Sequence, residues 1–260
     1  MCGFAGFISL DQSSDERAQI LSRMGDRLAH RGPDDKGSWT DVSYGLSVVH
    51  RRLSVVDLSP RARQPMLSRD QRYVIAYNGE IYNFRDIRTR LIQHGYEFNS
   101  DSDTEVILAS LMLWGLEKSL GMFFGMFAFA LFDRQEGELI LVRDRIGEKP
   151  LYYGWQGSTF LFGSELKALR VHPSWQGGID REALSLYFQY RYIPSPLTIH
   201  PNIHKLEPGA FLRLKRVGHR WDTSKNTWWS YKKYVNENLP QEHRSPSLVA
   251  DSLDDILRTV

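Results

Sequence analysis

Cysteine is almost missing from this chain: Cys2 is the single one among 260 residues. One thiol excludes an internal disulfide framework and suits a reducing compartment, so the expected location is the cytoplasm. A long hydrophobic run is missing too. The longest apolar stretch, Met122 to Phe132, falls far short of the ~20 residues a membrane helix needs, and no membrane is expected as partner. The N-terminal stretch lacks the basic region of a secretory signal. A net charge of +2 gives no electrostatic reason to expect nucleic acid. Glycine-rich phosphate loops of the usual patterns, internal repeats and low-complexity tracts are absent as well. What remains is 42% apolar and 25% charged, the composition of an ordinary globular protein. The length suits one large domain, or one domain and part of another.

The scarce residue is placed conspicuously. Loss of Met1 would make Cys2 the N-terminus, with a thiol and a free α-amine on one carbon frame. The thiolate is the nucleophile, and near neutral pH a thiol needs a base or a lowered pKa to supply it. An α-amine titrates at about 7.7–8.0 and can take that proton itself or through one water. Gly3 and Gly6 leave room for backbone to approach on either side. The competing reading is a small buried cysteine that starts a strand, since free cysteine is among the most buried residue types.

Periodicity divides the chain into an α+β order. Residues 2–9, 42–49 and 72–77 read as strands. Ile20, Leu21, Met24 and Leu28 recur at helical spacing before the Arg31–Asp35 loop, where Gly32-Pro33 stops the helix. Leu53–Asp57 is either strand or loop. Phe84, Ile87 and Leu91 give a helix ended by Gly95. Ser102 and Glu105 have capping-box spacing at the head of an apolar helix through Val106, Leu108, Leu111 and Met112. Runs at 126–132, 138–143, 151–155 and 159–163 form two hairpins around Gln135-Glu136-Gly137 and Gln156-Gly157-Ser158. A short helix is expected over 164–170, another over 180–190, and a strand after Glu207-Pro208-Gly209. Residues 216–246 are polar and weakly periodic, which reads as a linker. An amphipathic helix from Leu248 to Val260 then opens a domain that nothing in the sequence completes. The expected division is 1–215 and 216–260.

Several side chains invite chemistry. Arg51-Arg52 places arginine at the end of a strand-like segment, where it could hold a carboxylate through two parallel hydrogen bonds, although an isolated arginine is usually a surface residue. Asn78-Gly79 is ordinarily a hairpin turn. Because a helix comes next, the alternative is that the Asn78 amide and the Gly79 N–H face developing negative charge, as an oxyanion hole requires. Glu80 and Asp103 could hold an ammonium, while Asp103 could equally serve the first turn of its helix. His200 and His204 have a metal-like spacing, but Pro201 argues against a shared helical face and no third ligand is evident, so no metal is expected.

Taken in order, Met1-Cys2-Gly3, His30–Asp34, His50–Asp57, Tyr77–Asn83, Ser102–Glu105 and Arg143–Tyr153 resemble the glutamine-hydrolysing asparagine synthetases. The N-terminal half of that family is a class II glutamine amidotransferase of the N-terminal-nucleophile fold. The resemblance covers residues 2 to about 215 closely and implies a four-layer α-β-β-α sandwich. It implies Cys2 as nucleophile with its own amine as base, and Asn78 and Gly79 as oxyanion hole. Arg52 would bind the glutamine α-carboxylate, Leu53, Val55 and Val56 would line the pocket, and Glu80 with Asp103 would receive the α-amine. Glutamine is then the substrate, and this portion needs no cofactor. ATP, magnesium and aspartate belong to the family's C-terminal α/β synthetase domain, whose Ser-Gly-Gly-x-Asp-Ser loop this sequence does not contain. A homodimer stays open. So do two other readings: a relative that delivers ammonia to a sugar or antibiotic-precursor carboxylate, and a non-catalytic binding module on the same fold.

Overall fold

Both faces of β1 (Gly3–Ile8) are apolar, and successive side chains leave a strand on opposite sides. Phe4 and Ile8 join one buried cluster, while Ala5 and Phe7 join another. A strand buried on both faces has to lie inside a layered structure, and the computed structural model shows the layers. The structure describes residues 1–218, 220–238 and 246–259.

Two six-stranded sheets face each other. The first runs β10 (Ile203–Lys205), β8 (Tyr152–Gln156), β9 (Thr159–Gly163), β1, β3 (Leu46–Arg52), β2 (Asp35–Asp41). The second runs β12 (Arg220–Thr227), β11 (Ala210–Val217), β7 (Glu138–Arg143), β6 (Gly125–Asp133), β5 (Tyr73–Ile81), β4 (Met66–Leu67). Every neighbouring pair is antiparallel. Phe4, Val48 and Phe162 from the first sheet meet Val74, Phe132 and Leu141 from the second. Outside the first sheet, Ile20, Leu21 and Met24 of α1 (Ser14–Asp26) and Ala168 and Leu169 of α5 (Leu166–Leu169) cover Phe7 and Val49. Outside the second, α2 (Phe84–Gln93), α3 (Asp103–Trp114) and α4 (Leu116–Met122) cover Ile75, Tyr77 and Phe129. This is the four-layer α-β-β-α sandwich that the family resemblance implies. The peripheral helices are α6 (Arg181–Tyr190), α7 (Tyr231–Asn238) and α8 (Pro246–Thr259). No helix among the described residues is long and apolar enough to cross a membrane.

Several expectations need correcting. The strand expected over 42–49 begins only at Leu46, because Val42–Gly45 turns the chain back from β2. β2 itself has no apolar run to announce it, since its alternately exposed Lys36, Ser38 and Thr40 hide an edge strand. Ser102 does cap α3, its Oγ accepting the Glu105 N–H at 3.3 Å. The Glu105 carboxylate, however, takes the N–H groups of Asn99 and Ser100, so only half of the capping box forms. The stretch 216–246 is not a plain linker. β12 pairs with β11 from Ala210↔Thr227 to Val217↔Arg220, and α7 comes after it. The limit at 215 therefore falls inside β11. His219 and residues 239–245 of that stretch, and Val260 at the end of the expected last helix, lie outside the described residues.

Two buried histidines give this packing a pH dependence. His172 meets the Phe7 ring edge-on at 4.6 Å, and burial, with Arg23 and Arg17 nearby, pulls it down to about 4. Burial pulls His50 to about 4 as well. An unfolded histidine titrates near 6.5, so between there and about 4 the unfolded chain binds more protons than the native one. This contribution is complete above that window and is lost as pH falls through it. The urea midpoint should drop across the window. In His172→Asn, which keeps an acceptor for the Ser174 N–H, the drop should be shallower.

Candidate active site

Cys2 immediately precedes β1, which is flanked on both sides in its sheet. Its Sγ accepts the Leu53 N–H at 3.4 Å and lies 3.6 Å from the Leu53 carbonyl. Its own carbonyl accepts Arg31 Nε at 2.9 Å. Arg31 is anchored in turn by Glu165 at 2.8 Å, a carboxylate that also meets His30 and Lys167. A Cβ on Gly3 would lie 2.8 Å from Arg31 Cδ, so glycine there lets the guanidinium pass to Cys2. Burial pushes the Cys2 thiol up, outweighing the Leu53 hydrogen bond, the N-terminal ammonium and Arg52, which pull it down. At neutral pH the group is therefore a thiol, and nucleophilic use of it needs a base.

The second half of the site lies on β5. β4 pairs only with Val74 and Ile75, and among the described residues no strand neighbours the rest of that edge. Side chains take over. The Tyr77 N–H donates to Gln64 Oε1 at 2.7 Å, the Tyr77 carbonyl meets His50 Nε2 at 2.8 Å, and the Ile81 N–H donates to Asp103 Oδ2 at 3.1 Å. Strand alternation turns the Gly79 N–H, midway between these two, toward the same edge. Asn78-Gly79 is thus no hairpin tip: the two residues pair with Ala128 and Phe127 inside the strand. A Cβ on Gly79 would lie 2.2 Å from the Met126 carbonyl, so close approach of β6 demands glycine. The Asn78 amide is buried, and neither its oxygen nor its nitrogen has a hydrogen-bond partner among the described residues. Two unpartnered polar atoms in a buried position are costly unless a ligand satisfies them.

Charged groups complete the pocket. Asp103 is buried at the start of α3, where its Oδ2 also accepts the Tyr77 hydroxyl at 2.7 Å. Burial raises its carboxyl above the usual range, and the neighbouring Glu80 raises it further. A cation entering here would relieve both. Arg52 donates to the carbonyls of Asp57 and Ser59, holding the 53–59 loop, and its side chain borders the pocket. Arg51 points the other way, to the Gly25 carbonyl and Asp26. Leu53, Val55 and Val56 form the loop wall, with both valines exposed.

One pocket thus gathers all nine residues singled out from the sequence: Cys2, Arg52, Leu53, Val55, Val56, Asn78, Gly79, Glu80 and Asp103. Sequence reasoning misses Gln64, Thr104, Met126 and Lys149, which border it too. Lys149 carries a signal in its ordered stretch, Arg143–Tyr153. Its buried ammonium donates to Met1 Sδ at 3.2 Å. Gln64, at the end of a polar loop, carries none. His200 and His204 are elsewhere, the first against Trp175 and the second against Tyr153. Among the described residues no three His, Cys, Asp or Glu side chains come together as metal ligands.

Comparison with known proteins places this geometry. A family model described as the glutamine amidotransferase domain matches residues 1–229. The protein named asparagine synthetase (glutamine-hydrolyzing) 3 of Bacillus subtilis (strain 168) is 39% identical over 223 residues, 84% of this chain and 35% of that protein. Asparagine synthetase (glutamine-hydrolyzing) 1 of the same organism is 34% identical, across 100% of this chain and 39% of its own length. A putative asparagine synthetase (glutamine-hydrolyzing) 2 of Methanocaldococcus jannaschii is 35% identical across 80% and 42%. The chain therefore spans well under half the length of these relatives. Among solved structures, glutamine phosphoribosylpyrophosphate amidotransferase from B. subtilis superposes with a TM-score of 0.63 at 20% identity, over 87% of this chain and 49% of that one. That likeness extends to the fold.

The state of the thiol is directly measurable. Iodoacetamide should label one site per chain, and with burial holding the thiol up, the rate should still be climbing above pH ~8.5, where an ordinary cysteine is half ionised. Peptide mass spectrometry across a pH series checks this; a plateau below about pH 8 would mean a thiolate already formed.

Proposed function

The chain belongs to the glutamine amidotransferase domain family, and from that premise we propose that it is the glutaminase portion of a glutamine-hydrolysing asparagine synthetase. The observation that carries the reading is the meeting, in one pocket, of the sole thiol with the unpartnered Asn78 amide. In the reaction proposed, Cys2 Sγ attacks the glutamine carboxamide carbon and its proton passes to the Cys2 α-amine, free once Met1 is removed. The developing oxyanion is met by the Asn78 Nδ2 and the Gly79 N–H. Collapse breaks the C–N bond, and ammonia leaves with the returned proton. Water then adds to the thioester, the C–S bond breaks, and glutamate is released. Arg52 receives the α-carboxylate while Glu80 and Asp103 receive the α-ammonium, which supplies the cation that Asp103 lacks.

No cofactor enters these steps. Amidation of aspartate, with the ATP and magnesium it would use, is assigned to the further length present in the relatives. The cytoplasm is the compartment proposed, in keeping with a working free thiol. A different acceptor carboxylate would leave every residue of this site unchanged, so acceptor choice is tested outside it.

Three measurements test the proposal on the purified chain after confirmed loss of Met1. Cys2→Ala should retain the fold and release no glutamate; release at the parental rate would sink the assignment. Arg52→Lys keeps the charge but not the fork, and should weaken glutamine binding by about 1–3 kcal/mol. Arg51→Lys, whose partners lie on α1, should bind glutamine normally. Finally, residues 2–260 alone should form glutamate at a rate indifferent to ATP and magnesium, and no asparagine from aspartate. ATP-dependent asparagine from this chain would overturn the division of labour.

A further inference from the structure

His50 is fully buried, carries no part of the chemistry above, and crosses between the two sheets. It lies on β3 directly opposite Phe4 of β1, two residues from the nucleophile. Along β3, alternation sends Val48, His50 and Arg52 toward the second sheet while Val49 and Arg51 face α1. His50 Nε2 reaches the Tyr77 carbonyl at 2.8 Å. A carbonyl only accepts, so Nε2 carries the proton. In the neutral ring Nδ1 then carries a lone pair, and it is buried without a hydrogen-bond partner among the described residues. A phenylalanine would fill similar space without that orphaned acceptor, whose desolvation works against stability. The polar ring is explained if the carbonyl it holds has to stay in place.

That carbonyl matters because it adjoins the oxyanion donors. The Tyr77 C=O and the Asn78 N–H belong to one rigid peptide plane. Holding the oxygen fixes the strand just before the Asn78 amide and the Gly79 N–H. Tyr77 is secured at two further points, its N–H by Gln64 and its hydroxyl by Asp103. Of the three, only His50 comes from the sheet that carries Cys2. We propose that His50 is a positioning residue, which ties the nucleophile's sheet to β5 and so sets the Asn78–Gly79 donors at a fixed distance from the carbon that Cys2 attacks. This rests on the glutaminase reading and deepens it.

The test compares the parental chain, freed of Met1, with His50→Phe and His50→Gln. The glutamine side-chain amide can donate to the Tyr77 carbonyl; phenylalanine cannot. Turnover, KM for glutamine, thermal unfolding, and inhibition by the γ-aldehyde of glutamate are measured together. The aldehyde adds to the Cys2 thiol reversibly and places its oxygen where the oxyanion forms. His50→Phe should lower kcat by tenfold to about a hundredfold, the scale of a misplaced catalytic group, with KM within about twofold. Aldehyde affinity should fall by the same factor, and His50→Gln should recover most of both. If His50→Phe does not fold, His50→Asn, whose amide ends short of Tyr77, takes its place. Parental kcat and aldehyde affinity in the variant without a donor would overturn the proposal, as would equal losses in that variant and His50→Gln. A parental chain that releases no glutamate would instead overturn the glutaminase reading itself, and this inference with it.

Discussion

The site depends on an edge of β5 that, beyond Ile75, no strand among the described residues covers. β4 satisfies that edge at Val74 and Ile75 and then stops. Backbone groups inside a sandwich cannot be left without partners, so the chain must supply them from elsewhere. Gln64 comes from the loop before β4, His50 from the opposite sheet, and Asp103 from the head of α3. Each brings its own element to the edge, and together they enclose a gap at Asn78 and Gly79. The absence of a longer β4 therefore creates the polar pocket. A longer strand would have consumed the Gly79 N–H in a ladder.

Around that edge, the structure divides into parts held firmly and parts held by few bonds. On the firm side, Asp144 is fully buried and accepts the N–H groups of Phe127, Gly147, Glu148 and Lys149. Arg143 binds the carbonyls of Gly147, Lys149 and Leu206. The turn that carries Lys149 is therefore fixed by two adjacent residues of one strand end. The loop opposite, 53–59, exposes Val55, Val56 and Leu58. It is tied by Arg52 to two carbonyls, by Asp34 to the Ser54 N–H and by Asp57 to the Asp101 N–H. Arg52 thus has two duties in the proposed reaction, ordering this loop and receiving a carboxylate. Five donors in a rigid fork allow both, which a lysine ammonium would not do in the same geometry.

Apolar alternation made most of the sandwich legible. β1, β6, β7 and β9 are largely buried runs and β8 is half-buried, and the two hairpins are built from β6 to β9. β2 and β12 escaped because an edge strand with an exposed face need not be apolar, and its pairing partner is the only evidence for it. The site was legible where a residue's own chemistry announces it, as with the lone thiol and the acid pair. Asn78-Gly79 stayed ambiguous, since local sequence favours a turn and only the register with β6 removes that reading. Gln64 was not legible as a site residue at all, and His50 only as the first residue of the motif His50–Asp57. Each acts through a contact to Tyr77, 13 and 27 positions away in sequence, and no local pattern encodes such a contact.

The raised thiol and the N-terminus impose one further constraint. Burial disfavours the thiolate, and the nearest favourable charges, the N-terminal ammonium and Arg52, do not compensate. In the reaction proposed, the thiol proton therefore has to be taken by a base close to the sulfur. With Met1 attached, the nitrogen of Cys2 is an amide without basicity, and Met1 itself borders the pocket with its sulfur against Lys149. Removing Met1 has two effects in one step: it turns that amide into an amine beside the thiol, and it vacates the space its side chain fills. Among the described residues, the hydrogen-bond partners of Sγ are the backbone N–H and carbonyl of Leu53, neither of them a base. Glycine at position 3 lets Arg31 reach the Cys2 carbonyl and hold that residue against the sheet, and in the reaction proposed base and nucleophile, being parts of one residue, share a single geometry.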